Sequence, residues 1–121
     1  MFYLKTLEQL KQDKLNEFKF KRDSLEVAPI SYQGYHFDYD SKVRDRINEA
    51  IIALELQGEG ASIDWTTADS QDVKVTANDL RMVVVMVAQR SNALYIAYRA
   101  AKNKVEATTT TAEVEAITLS V

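Results

Sequence analysis

The sequence predicts a mainly α fold with two small β-hairpins (α+β) and three helices, of which the last is the longest. Three observations support this prediction. Apolar residues recur at helical spacing over long segments. Only one proline and three glycines interrupt the 121 residues. Two short segments instead alternate apolar with polar residues, as strands do. The length and the hydrophobic fraction of 46% suit one small folded chain with a modest core.

The first predicted helix runs from about residue 6 to residue 27 and ends before Pro29, because the residue before a proline disfavours helical backbone. Its apolar residues share one side of the helix, and lysines such as Lys11 and Lys14 lie on or beside that side. A helix of this kind needs a partner surface to be stable. We therefore interpret residues 1–28 as an amphipathic helix that can oligomerise or dock. Its candidate interface residues are Leu4, Leu7, Leu15, Phe18 and Leu25.

The segment 30–39 is predicted to form a β-hairpin that turns at Gly34, at a position that requires positive φ. Aromatic and polar residues alternate after the turn, so one face of the hairpin is aromatic. Tyr32, Tyr35 and Tyr39 are the candidate interface residues here, and packing in a small core is the alternative for these tyrosines. For Phe37, a place in the core is the favoured interpretation.

A second helix follows, capped by Asp40 or Ser41 and stopped by Gly58. Two of its apolar residues, Ile52 and Leu56, lie outside its main apolar stripe, which predicts contacts on two sides. A second hairpin is predicted over residues 62–75. Trp65 faces inward there, and the core is favoured over an interface for this side chain.

Thr76 and Asp79 form a capping-box-like start for the third helix, which reaches about residue 106. Residues 82–88 are apolar on all sides of the helix, and we expect them to be the most buried part of the protein. Residues 30–107 are thus predicted to be a hairpin-helix-hairpin-helix domain. Residues 108–121 form a C-terminal tail with a possible short helix.

The composition argues against several classes of function. There are no cysteines and one histidine, His36, and no Gly-rich phosphate loop or hydrolase motif occurs. We therefore expect no enzyme activity, no catalytic or metal-binding residues and no cofactor. The net charge of −3 with no basic stripe disfavours nucleic acid. The apolar run 82–88 is far shorter than the roughly 20 residues of a membrane span.

Several motifs occur in order along the chain. Tyr-Gln-Gly-Tyr-His-Phe-Asp-Tyr-Asp lies at 32–40, Arg-Ile-Asn-Glu-Ala-Ile at 46–51, Ile-Asp-Trp-Thr-Thr-Ala-Asp at 63–69 and Val-Lys-Val-Thr-Ala-Asn-Asp-Leu at 73–80. Arg90, Tyr95 and Tyr98 follow. This combination resembles an uncharacterised bacteriophage and prophage domain family found in tail-associated and tail-fibre-assembly-like proteins. The resemblance covers roughly residues 31–117.

The resemblance implies a non-enzymatic phage tail or tail-fibre-associated structural or assembly protein that acts by protein–protein binding. Its partners would be tail or fibre proteins and further copies of itself, with a trimer matching fibre symmetry, and not nucleic acid or membrane. The virion or the bacterial host cytoplasm would be its location. The alternative is a small phage or prophage regulatory protein that binds and inhibits a host factor.

Overall fold

The structure is a computed structural model and describes residues 4–121. Residues 1–3 of the predicted first segment lie outside the described residues. Along the chain the elements are α1 (Leu7–Glu26), β1 (Ile30–Tyr32), β2 (Tyr35–Phe37), α2 (Ser41–Gln57), β3 (Ser62–Thr66), β4 (Asp72–Thr76), α3 (Ala77–Glu106) and α4 (Thr111–Glu115).

The predicted fold class is confirmed in its broad form. The chain is mostly helical, and its strands form two separate antiparallel pairs, β1 with β2 and β3 with β4. Residues 4–121 contain four helices rather than three. The additional one, α4, is a five-residue helix in the tail, where the sequence predicts a possible short helix. The Thr110 side chain caps it by accepting a hydrogen bond from the Glu113 backbone N–H at 3.2 Å. So short a helix has too little apolar periodicity to be predicted firmly.

The chain divides into two compact units. Unit 1 combines the residues up to Glu26 with Ser91–Val121, and unit 2 is Val27–Arg90. The sequence-based division assigned all of the third helix to a single domain spanning residues 30–107. That division stays a prediction. In the structure, α3 supplies its first half to unit 2 and its second half to unit 1.

The first hairpin of unit 2 turns as predicted at Gly34. Gln33 and Gly34 have φ values of 52° and 83°, and two successive positive φ values are typical of the tight type I′ turn. The strands pair so that Phe37 lies opposite Ile30 and Tyr35 lies opposite Tyr32. Ile30 and Phe37 are buried in the core of the unit.

The helix starts in unit 2 follow the predicted capping chemistry. Asp40 is the N-cap of α2, and its carboxylate accepts a hydrogen bond from the Val43 backbone N–H at 2.8 Å. At the start of α3, the Thr76 hydroxyl accepts from the Asp79 N–H at 3.2 Å, and the Asp79 carboxylate accepts from the Thr76 N–H at 2.9 Å. This reciprocal pair is a capping box with aspartate in the position that glutamate usually takes.

The core of unit 2 lies between the two hairpins, α2 and the first half of α3. Trp65 and Phe37 are buried in it, as the sequence analysis favoured. The guanidinium group of Arg46 lies over the Trp65 ring, 4.9 Å from the ring centroid. The buried members of this core are Ile30, Phe37, Ile47, Leu54, Trp65, Val75, Leu80, Val83 and Val87.

Unit 1 has its own core, built from α1, the second half of α3 and the C-terminal segment. Leu15, Ala97 and Ile117 pack against the edge of this core. Its buried members are Phe18, Tyr98, Ala101, Val105 and Leu119.

The prediction that residues 82–88 are the most buried part of the protein is wrong. Of these seven residues, only Val83 and Val87 are buried, whereas Met82, Val84 and Val85 are 40%, 36% and 43% exposed. An apolar sequence on all sides of a helix buries every side only if neighbours cover every side. The core of unit 2 covers one side of α3 here. No helix within residues 4–121 is both long and apolar enough to cross a membrane.

Candidate functional site

The three candidate tyrosines of the first hairpin lie in different surroundings. Tyr32 and Tyr39 are half-buried and pack against the core of unit 2, while Tyr35 is exposed beside the turn. The Tyr32 ring meets the edge of the Phe37 ring, with the centroids 6.1 Å apart. Residues 30, 32, 35 and 37 share one face of the hairpin, which is buried at the Phe37 end and open at the turn. The tyrosines therefore do not form one continuous exposed surface.

Tyr32 is joined to the start of α3 through its hydroxyl group, which donates a hydrogen bond to the Asp79 carboxylate at 2.9 Å. Burial raises the pKa of the Tyr32 phenol, and the hydrogen bond to Asp79 and its negative charge raise that pKa further. Burial also acts to raise the pKa of Asp79. Hydrogen bonds from the Thr76 backbone, from Tyr32 and from the Thr76 hydroxyl outweigh it, so the pKa of Asp79 lies below its ordinary value.

The single histidine, His36, lies on the same hairpin and makes hydrogen-bond contacts within the fold. His36 is exposed, and its Nδ1 atom lies 3.0 Å from the Ser31 hydroxyl on the paired strand. Its backbone carbonyl accepts a hydrogen bond from the Ala68 N–H at 2.7 Å, which connects the first hairpin to the turn of the second. Within residues 4–121, no three His, Asp or Glu side chains converge as a metal site would require.

The candidate residues of the first helix lie mostly on its inner side. Phe18 is buried in the core of unit 1, and Leu15 packs against that core. Leu7 and Leu25 are half-buried, and Leu4, just before α1, is almost fully exposed. The Phe18 ring is therefore already covered by its own chain. The proposal that these residues also bind a partner remains a prediction.

The lysines beside this inner side have roles that the sequence did not reveal. The Lys11 ammonium group donates to the Glu106 carbonyl at the end of α3 at 3.2 Å. The Lys14 ammonium group donates to the Glu115 carbonyl at the end of α4 at 3.5 Å. Both groups thus meet the carbonyls that a helix leaves unpaired at its C-terminus, where a positive charge is favourable. These contacts attach α1 to two helix ends within unit 1.

In unit 1, one arginine of α1 contacts the rings of two tyrosines of α3. The Arg22 guanidinium group lies 4.6 Å from the Tyr95 ring centroid and 4.7 Å from the Tyr98 ring centroid. Nearer the end of α1, the Ser91 hydroxyl donates to the Glu26 carboxylate at 2.7 Å. The Tyr98 hydroxyl itself is buried and has no hydrogen-bond partner among residues 4–121.

Unit 2 exposes two apolar surfaces that the sequence pattern does not reveal. On α2, Ile52 and Leu56 lie one turn apart and are 60% and 84% exposed. The sequence pattern predicts a neighbour on that side of α2, and none of the described residues covers it. On α3, the exposed residues of the segment 82–89 carry no charge. The absence of charge in this segment is a sequence signal that fits an exposed interaction surface as well as a buried helix.

An open pocket of about 510 Å³ lies at the end of α2 in unit 2. Glu55 and Arg81 form an ion pair at its edge. The Glu55 carboxylate and the Arg81 guanidinium group neutralise each other. Neither group is therefore free to form an ion pair with a charged ligand in this pocket. The other lining residues are Leu54, Gly58, Glu59, Gly60, Ala61, Thr76, Ala77 and Asn78.

The fold defines a mostly helical α+β protein with two antiparallel hairpins and with apolar helix faces open on its surface. The chain belongs to the family described as a domain of unknown function (DUF4376), whose model matches residues 9–118. No curated protein and no solved structure matches the chain.

Proposed function

We propose that this chain is a non-enzymatic phage tail or tail-fibre-associated structural or assembly protein that acts by protein–protein binding. Its partners are tail or fibre proteins and further copies of itself, and a trimer would match the symmetry of a fibre. The setting in the virion or the host cytoplasm is supported by the resemblance carried by the motifs at 32–40, 46–51, 63–69 and 73–80. These motifs lie within the residues that the family model matches.

One observation carries the binding part of this proposal. Unit 2 exposes large apolar side chains on two helices, with Ile52 and Leu56 on α2 and Met82, Val84 and Val85 on α3. Single exposed apolar residues are common, but groups of them on one helix face are typical of interaction sites. Their exposure costs solvation free energy, which a partner protein would recover by covering them.

The titratable groups with shifted pKa values support a structural role over a catalytic one. Tyr32 and Asp79 hydrogen-bond to each other, and Asp79 also caps α3 through Thr76. Shifted pKa values often mark catalytic residues, yet ion pairs and caps that hold a fold together shift them as well. Here the pair fastens a hairpin to a helix start.

Mass spectrometry of purified virions tests the proposal. The particles come from a phage that carries this gene, and particles from a deletion strain serve as the blank. We expect to find the chain in stoichiometric amounts in the tail fraction. If it is an assembly factor, we expect the deletion strain to form defective tails. A protein absent from virions, with normal tails formed in the deletion strain, would contradict the proposal. That result would favour the alternative, a regulatory protein that inhibits a host factor.

A pair of variants tests whether the exposed side of α2 takes part. Leu56→Ser removes the most exposed apolar side chain of α2, and Gln57→Ser changes its exposed neighbour. We expect Leu56→Ser to reduce incorporation into virions and Gln57→Ser to leave it unchanged. Equal incorporation of both variants would show that this side of α2 is not the binding surface.

A further inference from the structure

One side of α3 in unit 2 is open, apolar and uncharged. We call it the α3 outer face, and it consists of Met82, Val84, Val85, Ala88 and Gln89, all of which are exposed. The two buried residues of the same segment, Val83 and Val87, point into the core of unit 2. Most of this face is made of side chains that are normally buried in globular proteins.

The two cations next to the α3 outer face are held by their own chain. Arg81, just before it, forms an ion pair with Glu55. Arg90, just after it, donates a hydrogen bond to the Ala28 carbonyl at 2.6 Å. A partner that packs on this face therefore meets no charge within it. Uncharged apolar surface is best matched by another uncharged apolar surface, since a charge buried against it without a counter-ion is costly.

The exposed side of α2 differs from the α3 outer face in its charge. Ile52 lies one turn from Glu49, which is exposed and forms no ion pair within residues 4–121. If two copies met through this side of α2, their carboxylates would repel each other. The α3 outer face has no such obstacle, so a second copy of the chain can match it.

We propose that the α3 outer face is where copies of this chain pack against one another. Met82, Val85 and Gln89 follow at intervals of three and four residues, the spacing with which helices pack side by side. Ala88 is small enough to let two helices approach closely. Gln89 can hydrogen-bond to the same residue of the second copy and so keep its amide satisfied. This inference rests on the proposed function, protein binding, and names one partner.

Measuring the mass in solution tests this inference. At tens of micromolar, sedimentation equilibrium of the full chain should give roughly two or three times the mass of one chain. Val85→Glu places a charge in the α3 outer face and should reduce the mass to that of one chain. Ser62→Glu places the same charge at an exposed residue of β3 in the same unit, so it is the matched control and should leave the mass unchanged. A wild-type monomer at this concentration would overturn the inference, as would equal effects of the two variants.

A cross-linking experiment covers the case in which Val85→Glu fails to fold. The chain has no cysteine, so a single introduced thiol is the only reactive one. With a short bis-maleimide reagent, Val85→Cys should give a covalent dimer in high yield, and Ser62→Cys, at an exposed position of β3, should give little. Cross-linking at both positions to the same extent, or at neither, would count against the α3 outer face.

The two proposals can fail separately. A monomeric chain that is nevertheless incorporated into virions would overturn self-association through α3 and leave the proposed binding to tail or fibre proteins in place. An oligomer that depends on Val85 but is absent from virions and dispensable for tail assembly would support self-association through α3. It would contradict the proposed role in the tail.

Discussion

The Tyr32 hydroxyl donates a hydrogen bond to the Asp79 carboxylate at 2.9 Å and so joins two residues 47 positions apart. Tyr32 ends the first strand of the first hairpin, and Asp79 lies in the first turn of α3. The same carboxylate accepts from the Thr76 N–H and from the Thr76 hydroxyl. A single aspartate therefore caps a helix and fastens a hairpin to it.

Replacing Tyr32 by Phe should lower the free energy of unfolding by about 1 kcal/mol at neutral pH, the usual net contribution of one hydrogen bond. Tyr35→Phe, on the exposed end of the same hairpin, is the control and should change little. Because the pKa of Tyr32 is raised in the folded chain, its contribution is complete below about pH 10 and is lost as the pH rises through the higher folded value. Urea unfolding at neutral and alkaline pH measures both effects. Equal stability of the two variants would show that the hydrogen bond contributes nothing.

Replacing Asp79 by Asn should destabilise the protein in a pH-dependent way. The folded pKa of Asp79 lies below its ordinary value, so the unfolded chain takes up the proton at higher pH than the folded chain does. The contribution of the carboxylate is therefore complete above about pH 4 and is lost as the pH falls through the folded pKa. We expect a deficit of about 1–2 kcal/mol at pH 7, the range for a helix cap, which shrinks in acid. Urea unfolding of Asp79→Asn and wild type at both pH values tests this, and a constant deficit would contradict it.

Replacing Trp65 by Ala should be among the most damaging single changes. The ring is buried in the core of unit 2, and Arg46 stacks on it. Loss of so large a buried side chain costs on the order of 3 kcal/mol or more, because a cavity remains. Thermal unfolding measures the effect, and Ile52→Ala, which removes an exposed side chain, is the control. An unchanged melting temperature for Trp65→Ala would mean that the ring is not in the core.

Replacing Tyr98 by Phe should leave unit 1 as stable as before or stabilise it by up to about 1 kcal/mol. The Tyr98 hydroxyl is buried without a hydrogen-bond partner among residues 4–121, and an unsatisfied buried polar group costs free energy. Stacking with Arg22 needs only the ring, which Phe keeps. Tyr95→Phe is the matched control, since Tyr95 stacks on the same arginine but is about half exposed. Chemical denaturation in which only Tyr98→Phe loses stability would indicate a partner for the hydroxyl.

Most of the secondary structure could be predicted, because local chemistry determines where elements begin and end. Gly58 stops α2, and the turn at Gly34 takes the positive φ that only glycine adopts without strain. The Thr76–Asp79 capping box starts α3 where predicted. The candidate surfaces were harder to predict. Phe18 lies on the amphipathic helix α1 and is buried. Val85 lies on the apolar segment of α3, yet it is 43% exposed.

The sequence by itself determined the mainly helical α+β class, the two hairpins, the helix caps and the core positions of Trp65 and Phe37. These features depend on backbone sterics, on capping groups within three residues and on apolar periodicity, all of which are local. Only the tertiary structure decided which apolar faces are covered. It buried the inner side of α1 in unit 1 and left the α3 outer face open. Burial depends on which distant segments pack against a helix, and a periodic pattern cannot distinguish a face that meets its own chain from one that meets a partner.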